Sequence, residues 1–456
     1  MRISKHLSPS IYPILGFLSL ILLGTVVLEA IPLRRGSHLP LIDSLFMVTS
    51  AVCVTGLSVI DIGKEFTVWG QVTIMLLIQM GGLGIMTFST VLLLVLGRSI
   101  SFRSRFVVQD IFTHSPQADL YVLLRRVILF TFSFEAAGSF LLFSRFHQQF
   151  DSLKAWYYAV FHSISAFCNA GFSLFPDSFM GYRDDALVNL TIMALIVFGG
   201  IGFMVMHELV RAAEQGKSRR QYWIRLSLHT KMVLCMTATL LVGGTIFFLV
   251  SEWSTTLKEL PFSTKLLASF FQSVTPRTAG FNTLDYASMN NITLLGTVML
   301  MFIGASPGST GGGIKTSTLG VLLALSRARL KGSADHVHAF KRSIVPTTVN
   351  RAFGIFVISV AIVLIGTACM LISQVGSIPH KESSGQFMEL FFETTSAFGT
   401  VGLSLGITPG LTGWSKFILV LMMFTGRLGP LVIAMAIQAE ESKGRFYYAQ
   451  EPIMIG

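Results

Sequence analysis

The chain has 456 residues, of which 52% are hydrophobic and only 12% charged, against about 25% charged residues in a soluble domain. Its net charge of +11 does not point to nucleic acid, because the basic residues sit in short loops between apolar runs and form no stripe on a soluble face. Cys53, Cys168, Cys235 and Cys369 all lie in or beside apolar segments with no CxxC pair, which excludes a disulfide framework and leaves no ligand set for a metal.

The chain opens Met1-Arg2-Ile3-Ser4-Lys5, and an apolar stretch follows from Ile11 to Ala30. At about 20 residues it is longer than a signal-peptide core, and no cleavage signature stands out. It reads as a retained first membrane helix with its basic end inside. Seven further apolar runs can cross a hydrocarbon core of ~30 Å as helices. They lie at roughly 68–96, 124–144, 186–207, 231–250, 291–325, 350–374 and 412–436, the sixth run being interrupted. Between the members of each consecutive pair lies a shorter segment, ending near 54, 169, 278 and 400. At about 12 residues these are too short to span and suit re-entrant helices.

Charge sets the orientation. Arg98, Arg103, Arg105, Arg125 and Arg126 lie between the second and third spans. Arg211, Lys217, Arg219, Arg220, Arg225 and Lys231 lie between the fourth and fifth, and Arg327, Arg329, Lys331, Lys341, Arg342 and Arg351 between the sixth and seventh. By the positive-inside rule these loops, and with them both termini, are cytoplasmic. The short segments then face outside, with Arg34 and Arg35 a local exception.

The long-short-long order repeats in the residues themselves. Phe46 to Gly56, Phe161 to Gly171, Phe270 to Gly280 and Phe392 to Gly402 each run from a Phe to a Gly ten residues on. Leu57, Phe172, Phe281 and Leu403 follow the glycines, which stand 115, 109 and 122 residues apart. A fixed long period marks internal duplication. The reading is an all-α membrane protein of four tandem helix–pore loop–helix repeats around one central pore. The repeats cover 1–98, 99–210, 211–330 and 331–440, with a cytoplasmic tail at 441–456.

Irregular backbone at membrane depth must line water or be packed in protein. Four short helices ending on one axis direct the partial negative charge of their C-termini at a central cation. The backbone after them can replace the ion's hydration shell with carbonyls. Aiming successive carbonyls one way needs positive φ, which glycine adopts without a Cβ clash. The expected ligands for the cation are therefore backbone groups of Val54-Thr55-Gly56-Leu57, Asn169-Ala170-Gly171-Phe172, Thr278-Ala279-Gly280-Phe281 and Thr400-Val401-Gly402-Leu403. One such glycine alone would read as a helix C-cap; four in register read as a selectivity filter for a monovalent cation.

The sixth span carries Gly304, Pro307, Gly308, Ser309, Thr310, Gly311, Gly312, Gly313 and Lys315, a composition that breaks a helix. A phosphate-binding loop would need Gly-Lys-Ser/Thr, and here Ile314 separates Gly313 from Lys315. His207-Glu208 opens like a zinc motif, but Arg211 stands where its second His belongs. Interrupted helices suit gates and transport sites, so 304–313 reads as a flexible gate beneath the filter. With no large apolar side chain it is expected to order and disorder at small cost. Arg427, inside the last span, is expected to face the permeation path and meet this loop. Arg277 and Glu393, near the filter, are expected either to form a salt bridge behind it or to act directly on ion entry. An intramembrane enzyme would need a paired catalytic set, and the spans hold no Ser/His/Asp or carboxylate pair.

Thr55-Gly56-Leu57-Ser58, Asn169-Ala170-Gly171-Phe172-Ser173, Thr275-Pro276-Arg277-Thr278-Ala279-Gly280-Phe281-Asn282 and Phe398-Gly399-Thr400-Val401-Gly402-Leu403 resemble the K+ transporter superfamily that comprises TrkH, TrkG, KtrB and the plant HKT proteins. The resemblance runs from about 10 to 440 and is to the KtrB subfamily, since TrkH proteins carry extra helices ahead of the first repeat and only one span fits ahead of Gly56. It implies that the cation at these backbone groups is K+ and that the chain is the ion-conducting subunit of a Ktr potassium uptake system in the bacterial plasma membrane. It also implies a homodimer with one pore per subunit, embedded in lipid, with no bound cofactor beyond the transported K+. A cytosolic nucleotide-binding ring of KtrA type would control flux through an intramembrane gating loop, with Na+ as an activator. The alternative is a TrkH-like or Na+-permeable relative; a serine in place of the first filter glycine would mark the Na+-conducting HKT type, and this chain has Gly56.

Overall fold

A computed structural model describes residues 11–30, 33–35, 39–95, 120–214, 219–332, 337–379 and 381–429. Arg98, Arg103, Arg105, Lys217, residues 430–436 and the tail at 441–456 lie outside them.

The described chain is helical throughout, apart from a two-residue antiparallel pair, His338–Ala339 with Arg342–Ser343. It begins with α1 (Ile11–Ala30), α2 (Leu41–Val52), α3 (Ile62–Glu65) and α4 (Val68–Val95). Then come α5 (Leu120–Phe146), α6 (Ser152–Phe167), α7 (Ala186–Gly200), α8 (Phe203–Glu214) and α9 (Arg219–Arg225). The second half holds α10 (Leu228–Ser251), α11 (Phe262–Val274), α12 (Asn291–Phe302), α13 (Thr316–Leu330), α14 (Pro346–Gln374), α15 (Gln386–Gly399) and α16 (Gly413–Leu428).

Four of these, α2, α6, α11 and α15, are the short segments read from the sequence. They have 12, 16, 13 and 14 residues, and at 1.5 Å per residue each is about 18–24 Å long, less than a bilayer core. Each packs against the second long helix of the preceding group: α6 on α4, α11 on α7, α15 on α12, and α2 on α16. The contacts therefore close on themselves. An ion pair of Lys416 Nζ with Asp43 Oδ1 at 2.6 Å joins α16 to α2 across the closure.

Among the described residues four helices are long and apolar enough to span a membrane, or five if the bent pair α7–α8 counts as one. Eight spans were expected, and the difference has local causes. The second span counts only over Val68–Gly84, short of a full span, the fourth bends by 97° between α7 and α8, the sixth divides into α12 and α13, and the eighth extends past the described residues. In the apolar windows of the four spanning helices only 28%, 33%, 22% and 28% of residues are buried. Leu22, Leu23, Val250 and Ile372 stand exposed on them, faces that lipid covers. The interior is built from the short helices instead: Phe46, Phe161, Phe271, Phe392 and Phe398 are all buried.

A ring of four glycines and the loop beneath it

The four short helices end alike. After each, one residue takes positive φ: Val54 (56°), Asn169 (60°), Thr278 (73°) and Thr400 (49°). Two residues on, the glycines do so as well: Gly56 (96°), Gly171 (70°), Gly280 (78°) and Gly402 (91°). The intervening N–H turns back into its helix, Thr55 to Ser50 O (2.8 Å), Ala170 to Ser165 O (2.7 Å), Ala279 to Thr275 O (3.0 Å) and Val401 to Ser396 O (2.8 Å). Hydroxyls fasten the same segments: Ser50 and Ser396 accept from the N–H of Gly56 and Gly402, both at 3.1 Å.

The glycines meet in a closed cycle. A Cβ on Gly56 would lie 2.4 Å from Ala170 O, one on Gly171 2.6 Å from Ala279 O, one on Gly280 2.4 Å from Val401 O, and one on Gly402 2.1 Å from Thr55 O. The four carbonyls preceding the glycines thus converge, and a side chain at any of the four positions would have to displace a backbone carbonyl. The next carbonyls are not equivalent. Ser165 Oγ donates to Phe172 O at 2.8 Å and Thr275 Oγ1 to Phe281 O at 2.5 Å, so two of the sixteen expected ligand residues already have donors on their carbonyls.

The interrupted segment passes directly beneath this ring. Gly312 N donates to Thr400 Oγ1 at 3.0 Å, and a Cβ on Gly311 would lie 2.1 Å from Thr278 Oγ1. Thr278 Oγ1 in turn lies 3.1 Å from the Asn169 amide. On one flank Ser306 N donates to Gly200 O (3.0 Å), Phe203 N to Gly308 O (3.0 Å) and Thr310 Oγ1 to Gly199 O (3.1 Å). These bonds use the backbone groups freed by the α7–α8 bend, at Gly202 (φ 97°). On the other flank Gly313 N donates to Gly426 O at 3.3 Å. Lys315 Nζ donates back to Gly311 O at 2.7 Å and Gly312 O at 3.3 Å.

Arg427 is 2% exposed and reaches the loop. It donates to Thr310 O, and also to Gly81 O at 2.6 Å and Gly82 O at 3.4 Å. Among the described ion pairs none includes it; backbone carbonyls solvate this charge, with the Phe17 ring centroid 5.9 Å from the guanidinium carbon. The loop, expected from its lack of large apolar side chains to order and disorder at small cost, is held by polar contacts. Ser306, Thr310 and Thr316 are fully buried, and hydrogen bonds do the work that apolar side chains cannot.

The Arg277–Glu393 salt bridge, one of the two options from the sequence, does not form. Arg277 Nη2 faces Thr237 Oγ1 at 3.5 Å, while Glu393 accepts from Ser404 and Thr408. Sequence reasoning also missed Glu135, a buried carboxylate on α5 that accepts from Gln79 at 3.4 Å; its single acid among apolar residues was the available signal.

The TrkH family, described as cation transport protein, matches residues 18–445. The Ktr system potassium uptake protein B of Bacillus subtilis is 40% identical over 95% of this chain and 94% of its own length. The potassium/sodium uptake protein NtpJ of Enterococcus hirae is 36% identical over 100% of this chain and 99% of its own. Among solved structures, the potassium transporter TrkH from Vibrio parahaemolyticus shares the fold, with a TM-score of 0.68 over 96% of this chain and 87% of that one at 20% identity.

Proposed function

This chain belongs to the TrkH family of cation transport proteins, and on that premise we propose that it is the ion-conducting subunit of a Ktr-type potassium uptake system. The ring of four glycines is its selectivity filter, with one ring residue supplied by each of four repeats, 1–98, 99–210, 211–330 and 331–440. The observation that carries the reading is the closed cycle of positive-φ glycines at the C-terminal ends of four short helices. Helix C-termini favour a cation, and convergent carbonyls replace its hydration shell without a charged side chain in the ring itself. A dehydrated ion thus meets ligands weak enough to let it leave. The filter carbonyls of Thr55, Ala170, Ala279 and Val401 converge in one layer.

Segment 304–313 is the gate. Seated under the filter it blocks the path with backbone, and Arg427 pins it while opposing a cation electrostatically. A cytosolic nucleotide-binding ring of KtrA type moves it, in a homodimer in the bacterial plasma membrane with both termini cytoplasmic. Supporting this part are the loop's contacts with Thr400, Gly199 and Gly426 and the membership of relatives of this chain in Ktr systems. The chain carries an ion and performs no covalent chemistry.

The test is uptake of 86Rb+ into K+-loaded proteoliposomes holding the purified chain. External K+ should compete with the tracer far more strongly than external Na+. Equal competition would favour carriage of both ions, the reading to which the Enterococcus relative's name lends support. Absence of tracer uptake, with and without a regulatory subunit, would sink the conduction reading.

A further inference from the structure

Glu393 is fully buried on α15, nine residues ahead of Gly402. Among the described ion pairs none includes it. Its Oε1 accepts from Ser404 Oγ and, at 3.0 Å, from Thr408 Oγ1. The two hydroxyl oxygens lie 3.0 Å apart. Independently of this triangle, the other carboxylate oxygen, Oε2, is buried with no hydrogen-bond partner. Burying an ion without a counter-charge costs several kcal/mol, and a carboxylate oxygen with no donor forgoes the bonds that would offset it.

We propose that Glu393, Ser404 and Thr408 bind an alkali-metal cation beside the glycine ring, at a site separate from the conduction path. The ligand chemistry selects the class of ion. All four side-chain atoms are oxygens, which excludes the soft metals that want sulfur or nitrogen. One carboxylate and two neutral hydroxyls balance a single positive charge. A divalent ion would leave net charge in a buried site, and Ca2+ takes 6–8 oxygens in its own sites. Each hydroxyl can turn a lone pair to the ion and its proton away. Because Ser404 follows Gly402 by two residues, an ion held here braces the backbone leaving the fourth filter segment. Na+ and K+ share this chemistry, and the experiment separates them.

The test uses the full-length chain in detergent, with choline chloride exchanged for NaCl or KCl at constant ionic strength, and reads the thermal unfolding midpoint. A ligand that binds only the folded state raises that midpoint with its concentration. The wild type should show the rise, and Glu393→Gln should lose it for at least one of the two ions. Loss confined to NaCl assigns sodium; loss confined to KCl assigns the transported ion. The paired change Ser404→Ala with Thr408→Val, which keeps the carboxylate, should weaken the same rise and decides the matter if Glu393→Gln does not fold. Superimposable responses of wild type and variants in both salts, or no response in the wild type, would overturn the site. The assay reads binding and not flux, so its failure leaves the conduction reading standing.

Discussion

At Val54, Thr278 and Thr400 the backbone takes positive φ at β-branched residues, a conformation that costs about 1–2 kcal/mol for any residue with a Cβ. Such strain persists where surroundings over-determine it, and it clusters at functional sites. Here the surroundings are the returning N–H bonds and the buried side chains themselves, all three residues being 0% exposed. Thr400 also accepts the N–H of Gly312, in the loop proposed as the gate. Thr400→Val keeps the branched shape and removes that acceptor. A buried donor left unpaired costs about 1–3 kcal/mol, and the cost falls on the closed state. The variant should conduct more 86Rb+ than wild type at unchanged K+ over Na+ preference. Flux equal to wild type in a folded protein would argue that the loop does not block the path.

At the scale of elements, the loop proposed as the gate is anchored by about eight hydrogen bonds and not by apolar packing, each worth about 0.5–1.5 kcal/mol net. Ordering it is therefore a specific, switchable event: the same carbonyls and N–H groups can exchange partners when the loop leaves. Deleting Ser309 to Gly312 should raise flux, and Arg427→Ala should do likewise. The two together should give less than the sum of their effects, because both act on one plug; strict additivity in tracer uptake would contradict this. A second element is held from outside the membrane span. Glu252, just past α10, accepts from Thr255, Thr256, Thr293 and the Asn290 N–H. Burial pushes its carboxyl up, but these donors outweigh it and hold the group below the usual 4.5. A depressed carboxyl stabilises the fold above that value and ceases to do so as the pH falls through its folded pKa. The midpoint difference between wild type and Glu252→Gln should thus be largest at neutral pH and shrink on acidification, and a pH-independent difference would refute it. Apolar run lengths were enough to read α2, α6, α11 and α15 in the sequence, with ends near where they fall, because a 12-residue run cannot span. The α7–α8 bend was not legible. Gly199, Gly200 and Gly202 are ordinary in a packed helix, and only Pro307 O, 2.6 Å from where a Gly202 Cβ would be, shows why the chain turns there. Arg277 and Glu393 misled for a related reason: nearness in two repeats fixes depth and not direction.

The whole molecule is a cycle closed through its ends, α2 against α16 with Asp43 and Lys416 paired at 2.6 Å. No single short helix could make the proposed pore, which needs four ends to converge, and that places the property at this scale. In the proposed orientation the basic loops face the cytoplasm. Cysteines introduced at position 219 or 331 should react with an impermeant reagent only from the cytoplasmic side, and one at 285 only from outside; the reverse pattern would overturn the orientation. The central claim is that selectivity resides in the glycine ring. It is tested most directly by the K+ to Na+ permeability ratio of Gly402→Ser beside that of wild type under bi-ionic conditions. A serine there adds a Cβ at positive φ, 2.1 Å from Thr55 O, so a carbonyl must turn away. The account predicts a well-inserted variant that still conducts but has lost most of its preference for K+, whereas a ratio unchanged from wild type would contradict it.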